Sequence, residues 1–151
     1  VKFLAHWIFL TCLVFSTLSF AVLGGKETTI EQDRKTLASG QFKSSITARY
    51  TLYELVNPGI TLREYVNPKT GVVFGLGWDG YRHIDMEKLL GTYFEEYQRA
   101  AKANSRRHGM RYRVVRSEHV VVELGGKAMN LKGRAYDPKL IPAGVELDEI
   151  K

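Results

Sequence analysis

The chain opens on an apolar block and then changes period. Phe3 to Phe20, FLAHWIFLTCLVFSTLSF, is broken only by His6 and small polar residues. Farther on, residues 49–56, 60–67 and 72–78 alternate apolar with polar, as half-buried strands do. NPG at 57–59 and PKTG at 68–71 supply the turns between them. Met86, Leu89, Leu90, Tyr93, Phe94 and Tyr97 recur at helical spacing behind Asp85, a residue suited to capping, and predict a helix ending near Ala103. A capping-box spacing at Thr28-Thr29-Ile30-Glu31 predicts a short helix over Thr29–Ala38, and QFKSS at 41–45 reads as a connector. Arg111–Arg116 and His119–Leu124 read as strands, GGK at 125–127 as a turn, and Ala128–Tyr136 as a returning strand. The tail, with Pro138 and Pro142, is expected to run extended over the surface. Together these predict one α+β domain, in which a three-stranded antiparallel meander and a C-terminal hairpin are packed by one long and one short helix.

The apolar block has a second meaning. Lys2 precedes it, and Ser19-Phe20-Ala21 follows, with small residues on either side of a bulky one. Basic end, apolar centre and small-x-small site form the layout of a secretory signal peptide. The competing reading is an uncleaved anchor, because a stretch of this length just spans a bilayer core of ~30 Å. Cleavage after Ala21 is expected, leaving residues 22–151 as a single exported domain, periplasmic or extracellular, that does not span the membrane. Residues 1–21 contain one lysine, no acidic residue and the only cysteine, Cys12, so their removal lowers the net charge from +6 to +5. The exported domain then has no disulfide and depends on its core.

Several stretches, in order along the chain, carry a family likeness: LGG after the apolar block, YTLYEL, TLREYV, GVVFGLGWDG, LLGTYFEEYQRA, GGKAMNLKGRAYDPKLIPAGV and the closing DEI. Through them the chain resembles a family of small exported proteobacterial proteins catalogued as domain of unknown function 2844. Where members carry prolines after the Trp-x-Gly step, this chain has Tyr81-Arg82-His83-Ile84. The resemblance implies export and a single domain, and it implies no activity.

The candidate chemistry begins with Arg63 and Glu64, a charged pair inside an alternating strand. A three-residue NPG loop would set Val56 opposite Ile60, Glu54 opposite Leu62 and Leu52 opposite Glu64, and so place Glu54 and Glu64 on one apolar face. Asn67 opposite Val72 would add Gly75 beside Glu64 and Gly77 beside Leu62. Two coupled carboxylates beside missing side chains could serve as acid and base. Alternatively, the glycines admit the 85–103 helix and the glutamates are architectural charges paired with arginines. The other face would hold Tyr53, Tyr65, Phe74 and Trp78, with Arg63 over Tyr53.

Other residues suggest binding. Trp78-Asp79-Gly80-Tyr81 offers a sugar-stacking edge in Trp78 and Tyr81, or a tryptophan closing the core. Asp79, His83 and Asp85 are a weak metal set without paired-histidine spacing, so neither a metal nor a cofactor is expected. Ser117-Glu118-His119 resembles a triad in letters only, since neighbours on a strand point to opposite faces. Arg99, Lys102, Arg106, Arg107, Arg111, Arg113 and Arg116 form a basic run that is either a solvated face or an anion-binding patch. In an exported protein its partner would be anionic lipid, an acidic glycan or an envelope protein, and nucleic acid is not expected. The sequence therefore reads as an exported envelope protein, a non-enzymatic binding or accessory module for an anionic surface or protein partner. The alternative is an envelope-glycan hydrolase using Glu54 and Glu64.

Overall fold

The computed structural model of the protein describes residues 22–30, 40–103, 112–127 and 129–151. These form one seven-stranded antiparallel sheet: β1 (Gln41–Ile46), β2 (Thr51–Asn57), β3 (Ile60–Asn67), β4 (Val72–Gly80), β5 (Arg113–Arg116), β6 (Val121–Lys127) and β7 (Asn130–Tyr136). The spatial order is β1-β2-β3-β4-β7-β6-β5. Between β4 and β5 lie α1 (Met86–Leu90), a 3₁₀ turn at Gly91–Tyr93 and α2 (Phe94–Ala103). The domain is thus mostly sheet, and the expected connector at 41–45 is an edge strand. Residues 27–30 are helical, while 31–38 of the expected short helix and the apolar block 1–21 lie outside the described residues. The turn expected at 125–127 is still strand, because Lys127 pairs with Asn130.

Asp85 caps α1 as expected, its Oδ1 accepting from the amides of Glu87 at 3.1 Å and Lys88 at 3.3 Å. The single long helix is interrupted at Gly91, whose φ is +50°, a value glycine tolerates and other residues resist. A Cβ there would lie 2.2 Å from Val22 Cγ1, so the break also makes room for the start of the described chain.

Two one-residue steps decide which side chains share a face. Asn57 pairs with Ile60, so Pro58-Gly59 is a two-residue turn rather than a three-residue loop, with Gly59 at φ +86°. Glu54 then stands opposite Arg63, and Tyr53 opposite Glu64. Glu54 and Glu64 consequently lie on opposite faces, which removes the proposed carboxylate pair. The second step is a bulge: Asn67 faces Val72 as expected, yet Tyr65 faces Gly75 and Arg63 faces Gly77. The glycines therefore belong to the face of Arg63, not that of Glu64.

One face, covered by the helices, packs Leu62, Val66, Leu76 and Trp78 with Leu89, Leu90 and Val122. Tyr53, expected with Arg63, belongs to this core, and Glu64 is buried on the same face at 6% exposure. The other face packs Tyr65, Phe74, Val121 and Tyr136 against Ile150 of the C-terminal segment, with Leu140, Ile141 and Val145 alongside. The tail is thus the cover of the second face, and Ile150 is 1% exposed. Gly75 and Gly77 admit the tail rather than the helix. A Cβ at Gly75 would sit 3.0 Å from Ile150 Cδ1, and one at Gly77 would sit 1.9 Å from the Lys151 carbonyl oxygen.

Candidate functional site

The pairing aligns the tail-covered face into rows across the sheet. The first row runs Leu52, Tyr65, Gly75, Tyr136, Val121, and is the apolar bed of Ile150. The second runs Glu54, Arg63, Gly77, Arg134, Glu123. The third runs Thr61, Asp79, Lys132, Gly125. Charge is tolerated in mid-strand in the second row because each arginine has its carboxylate on the neighbouring strand, and because the glycine between them leaves space for Lys151.

Arg63 Nε donates to Glu54 at 2.9 Å and Nη1 to Asp79 at 2.6 Å. Nη1 also reaches the Lys151 carbonyl at 3.3 Å. Burial acts to lower the Arg63 pKa, but the hydrogen bonds and charges of Asp79 and Glu54 outweigh it, and the guanidinium is held more firmly protonated. Across Gly77, Arg134 Nη2 donates to Glu123 at 3.0 Å, while its Nη1 donates to the carbonyls of Leu147 and Ile150. Glu123, 7% exposed, also accepts from the hydroxyls of Tyr112 and Tyr136. Burial pushes its pKa up, and the bonds from Tyr112, Arg134 and Tyr136 more than reverse that, so it stays ionised.

The tail covers the first row and the middle of the second. An open groove of about 940 Å³ runs along the tail, from Leu52 and Tyr65 of the first row past Lys151 to the third row. Lys132, Asp79 and Gly125 floor it, and Tyr112 and Glu123 form part of one wall. Tyr112 keeps 52% of its surface exposed, with its hydroxyl tied to Glu123.

The sequence-predicted residues distribute differently. Trp78 is 4% exposed on the helix side, its ring so close over Gly133 that a Cβ there would come within 2.3 Å. It closes the core and offers no stacking surface. Tyr81 is exposed at the end of β4, with its ring over Gly59. Arg99 and Lys102 are exposed on α2, and Arg113 donates to the Ala101 carbonyl at 2.7 Å. Arg116 stands opposite Val121 on the tail-covered face. The described members of the basic run therefore do not share one surface, and Arg106, Arg107 and Arg111 lie outside the described residues. Among the described residues no group of three or more His, Cys, Asp or Glu could hold a metal ion, and no helix is long and apolar enough to cross a membrane.

Ser117 and His119, in the β5–β6 connection, both hydrogen-bond to Glu96 of α2, the His119 amide at 2.8 Å and its Nδ1 at 3.1 Å. Burial works against the Glu96 charge, yet the His119 amide, the Ser117 side chain and the His119 ring hold its pKa at about 2. The single proton of the Ser117 hydroxyl is shared between Glu96 and the Val120 carbonyl at 2.8 Å, so the cluster fastens helix to turn.

Arg134, Glu123, Lys132 and Tyr112 are the site residues that sequence reasoning missed. Their signal was present: Glu123 interrupts an apolar strand, and Lys132 and Arg134 alternate on the next one, so cross-strand pairing follows from Lys127 standing opposite Asn130. No curated protein and no solved structure matches the chain. A family model described as protein of unknown function (DUF2844) matches residues 19–150, and the chain belongs to that family.

Proposed function

We propose that the protein is an exported, non-catalytic binding module of the cell envelope whose partner lies in the groove on the tail-covered face. The order of Lys2, the apolar block and Ser19-Phe20-Ala21 supports export. The observation that carries the binding role is the paired state of the groove's charges. Asp79 is fixed by Arg63, and Glu123 by Arg134 and two tyrosines. A general acid needs a carboxyl held protonated near working pH, whereas Glu123 is held ionised. Fixed donors and acceptors of this kind orient a polar ligand without passing protons.

Site-specific photocrosslinking tests the reading in the cell that makes the protein. Benzophenone-alanine replaces Tyr112 in the groove or, as a control, Gln98 on the exposed side of α2. The expected result is a discrete adduct from position 112 and none from position 98. Equal labelling from both positions, or none from 112, contradicts the groove. Intact mass of the exported product checks processing, with a chain beginning at Val22 expected and a full-length membrane-extracted species opposing it.

A further inference from the structure

We propose that the groove takes a segment of acidic polysaccharide, with Lys132 receiving the carboxylate of a sugar acid and Tyr112 supporting the apolar face of its ring. The proposal rests on the reading of this groove as the binding site, and names the ligand's class.

Charge limits the ligand first. Arg63, Lys132, Arg134 and Lys151 line the groove against Asp79, Glu123 and Glu149, and Glu54 also bonds Arg63, so the charges nearly balance. A densely charged polyanion would meet three carboxylates, and an apolar ligand would strand the whole second row without water. Lys132 makes no ion pair among the described residues; its neighbours in the row are Asp79, which is bonded to Arg63, and Gly125. A ligand with sparse negative charge and many hydroxyls fits that balance.

Hydrogen bonding narrows it further. Guanidinium donors and carboxylate acceptors stand on neighbouring strands, about 4.8 Å apart. Sugar hydroxyls donate and accept, so one ring can satisfy both kinds of partner. An added peptide strand would need free main-chain groups, and the groove floor is the face of a sheet whose strands are already paired on both sides. Gly125 contributes no side chain beside Lys132, which leaves the floor low enough for a ring to settle. Tyr112 is half exposed yet tethered through its hydroxyl, so its ring is a fixed platform with little rotamer freedom to lose. The volume of about 940 Å³ is shared between the first-row end at Leu52 and Tyr65 and the third-row end at Lys132 and Gly125, and the third-row end takes the ring.

Isothermal titration of the purified protein with trigalacturonate, trimannuronate and neutral maltotriose tests this. At least one acidic trimer should bind about tenfold more tightly than maltotriose, and Lys132→Ala should remove that preference, as expected for loss of one charged hydrogen bond. Tyr112→Ala should weaken the acidic trimer about three- to tenfold, and Tyr112→Phe should fall between Ala and the native residue, because it keeps the ring and loses the hydroxyl tether to Glu123. Absence of binding by both acidic trimers, or a preference that survives Lys132→Ala, overturns the assignment. If the benzophenone at position 112 still captures a partner, the groove stands and only its ligand class fails. If neither experiment succeeds, both readings fall.

Discussion

The two faces of the sheet are built from the same alternating strands and have opposite characters. Under the helices, Leu62, Trp78, Leu89, Leu90 and Val122 form a closed, mainly apolar layer, with Glu64 as its buried carboxylate. Under the tail, an apolar row gives way within one strand step to Glu54, Arg63, Arg134 and Glu123, and then to the open groove at Lys132. The difference lies in the cover. The helices bring apolar side chains down onto their face, whereas the tail seats Ile150 on the apolar row and is tied beyond it by main-chain carbonyls accepting from Arg63, Arg134 and Arg49. An apolar cover requires apolar ground, and a peptide cover needs donors. The first face supplies stability, and the second leaves polar groups fixed at the edge of an uncovered surface.

The contrast can be broken at graded cost. Trp78→Ala removes the largest ring of the helix-side core and should destabilise by about 3–5 kcal/mol in chemical denaturation. A loss below ~1 kcal/mol would show that the ring is not core. Gly77→Ala acts on the other cover: its Cβ cannot coexist with the Lys151 carbonyl, so the tail must lift. We expect about 1–3 kcal/mol of destabilisation and faster amide exchange in residues 147–151, while α2 amides keep their protection until global unfolding.

The next effect concerns the latch between α2 and the β5–β6 connection. Glu96 is held at about 2, below its ordinary 4.5. Because the folded value is depressed, its contribution is complete above pH 4.5 and is lost as pH falls toward 2. Glu123 is shifted in the same direction. Stability should therefore decline through that acidic window, and Glu96→Gln should flatten the decline. An equally steep decline in Glu96→Gln would assign the acid sensitivity to other carboxylates.

Strand existence and the helical face were legible because each rests on a local period, and Asp85 was legible as a cap. The register was not. A loop one residue shorter at Pro58-Gly59 and a bulge between Tyr65 and Val66 each reverse the facing of everything beyond them. Those two steps moved Glu54 away from Glu64 and gave Arg63 its glycine. The groove was hidden for a related reason: Arg63 and Arg134 are 71 positions apart and meet across Gly77 only through the β4–β7 pairing. Trp78 read either as a stacking edge or as a core-closing residue; it lies in the helix-side core, seated on Gly133, a contact that no local pattern records.

The most direct test of the division between faces is the yield of the position-112 adduct in two charge variants. Lys132 is an open cation of the groove, and Lys88 is an exposed cation on α1, paired with Asp85 at 3.5 Å. Both substitutions to alanine should leave stability within about 0.5 kcal/mol, as exposed positions do. We predict that Lys132→Ala abolishes the adduct and Lys88→Ala leaves it at the wild-type level. Equal yields in the two variants, or loss only in Lys88→Ala, would contradict the placement of binding on the tail-covered face.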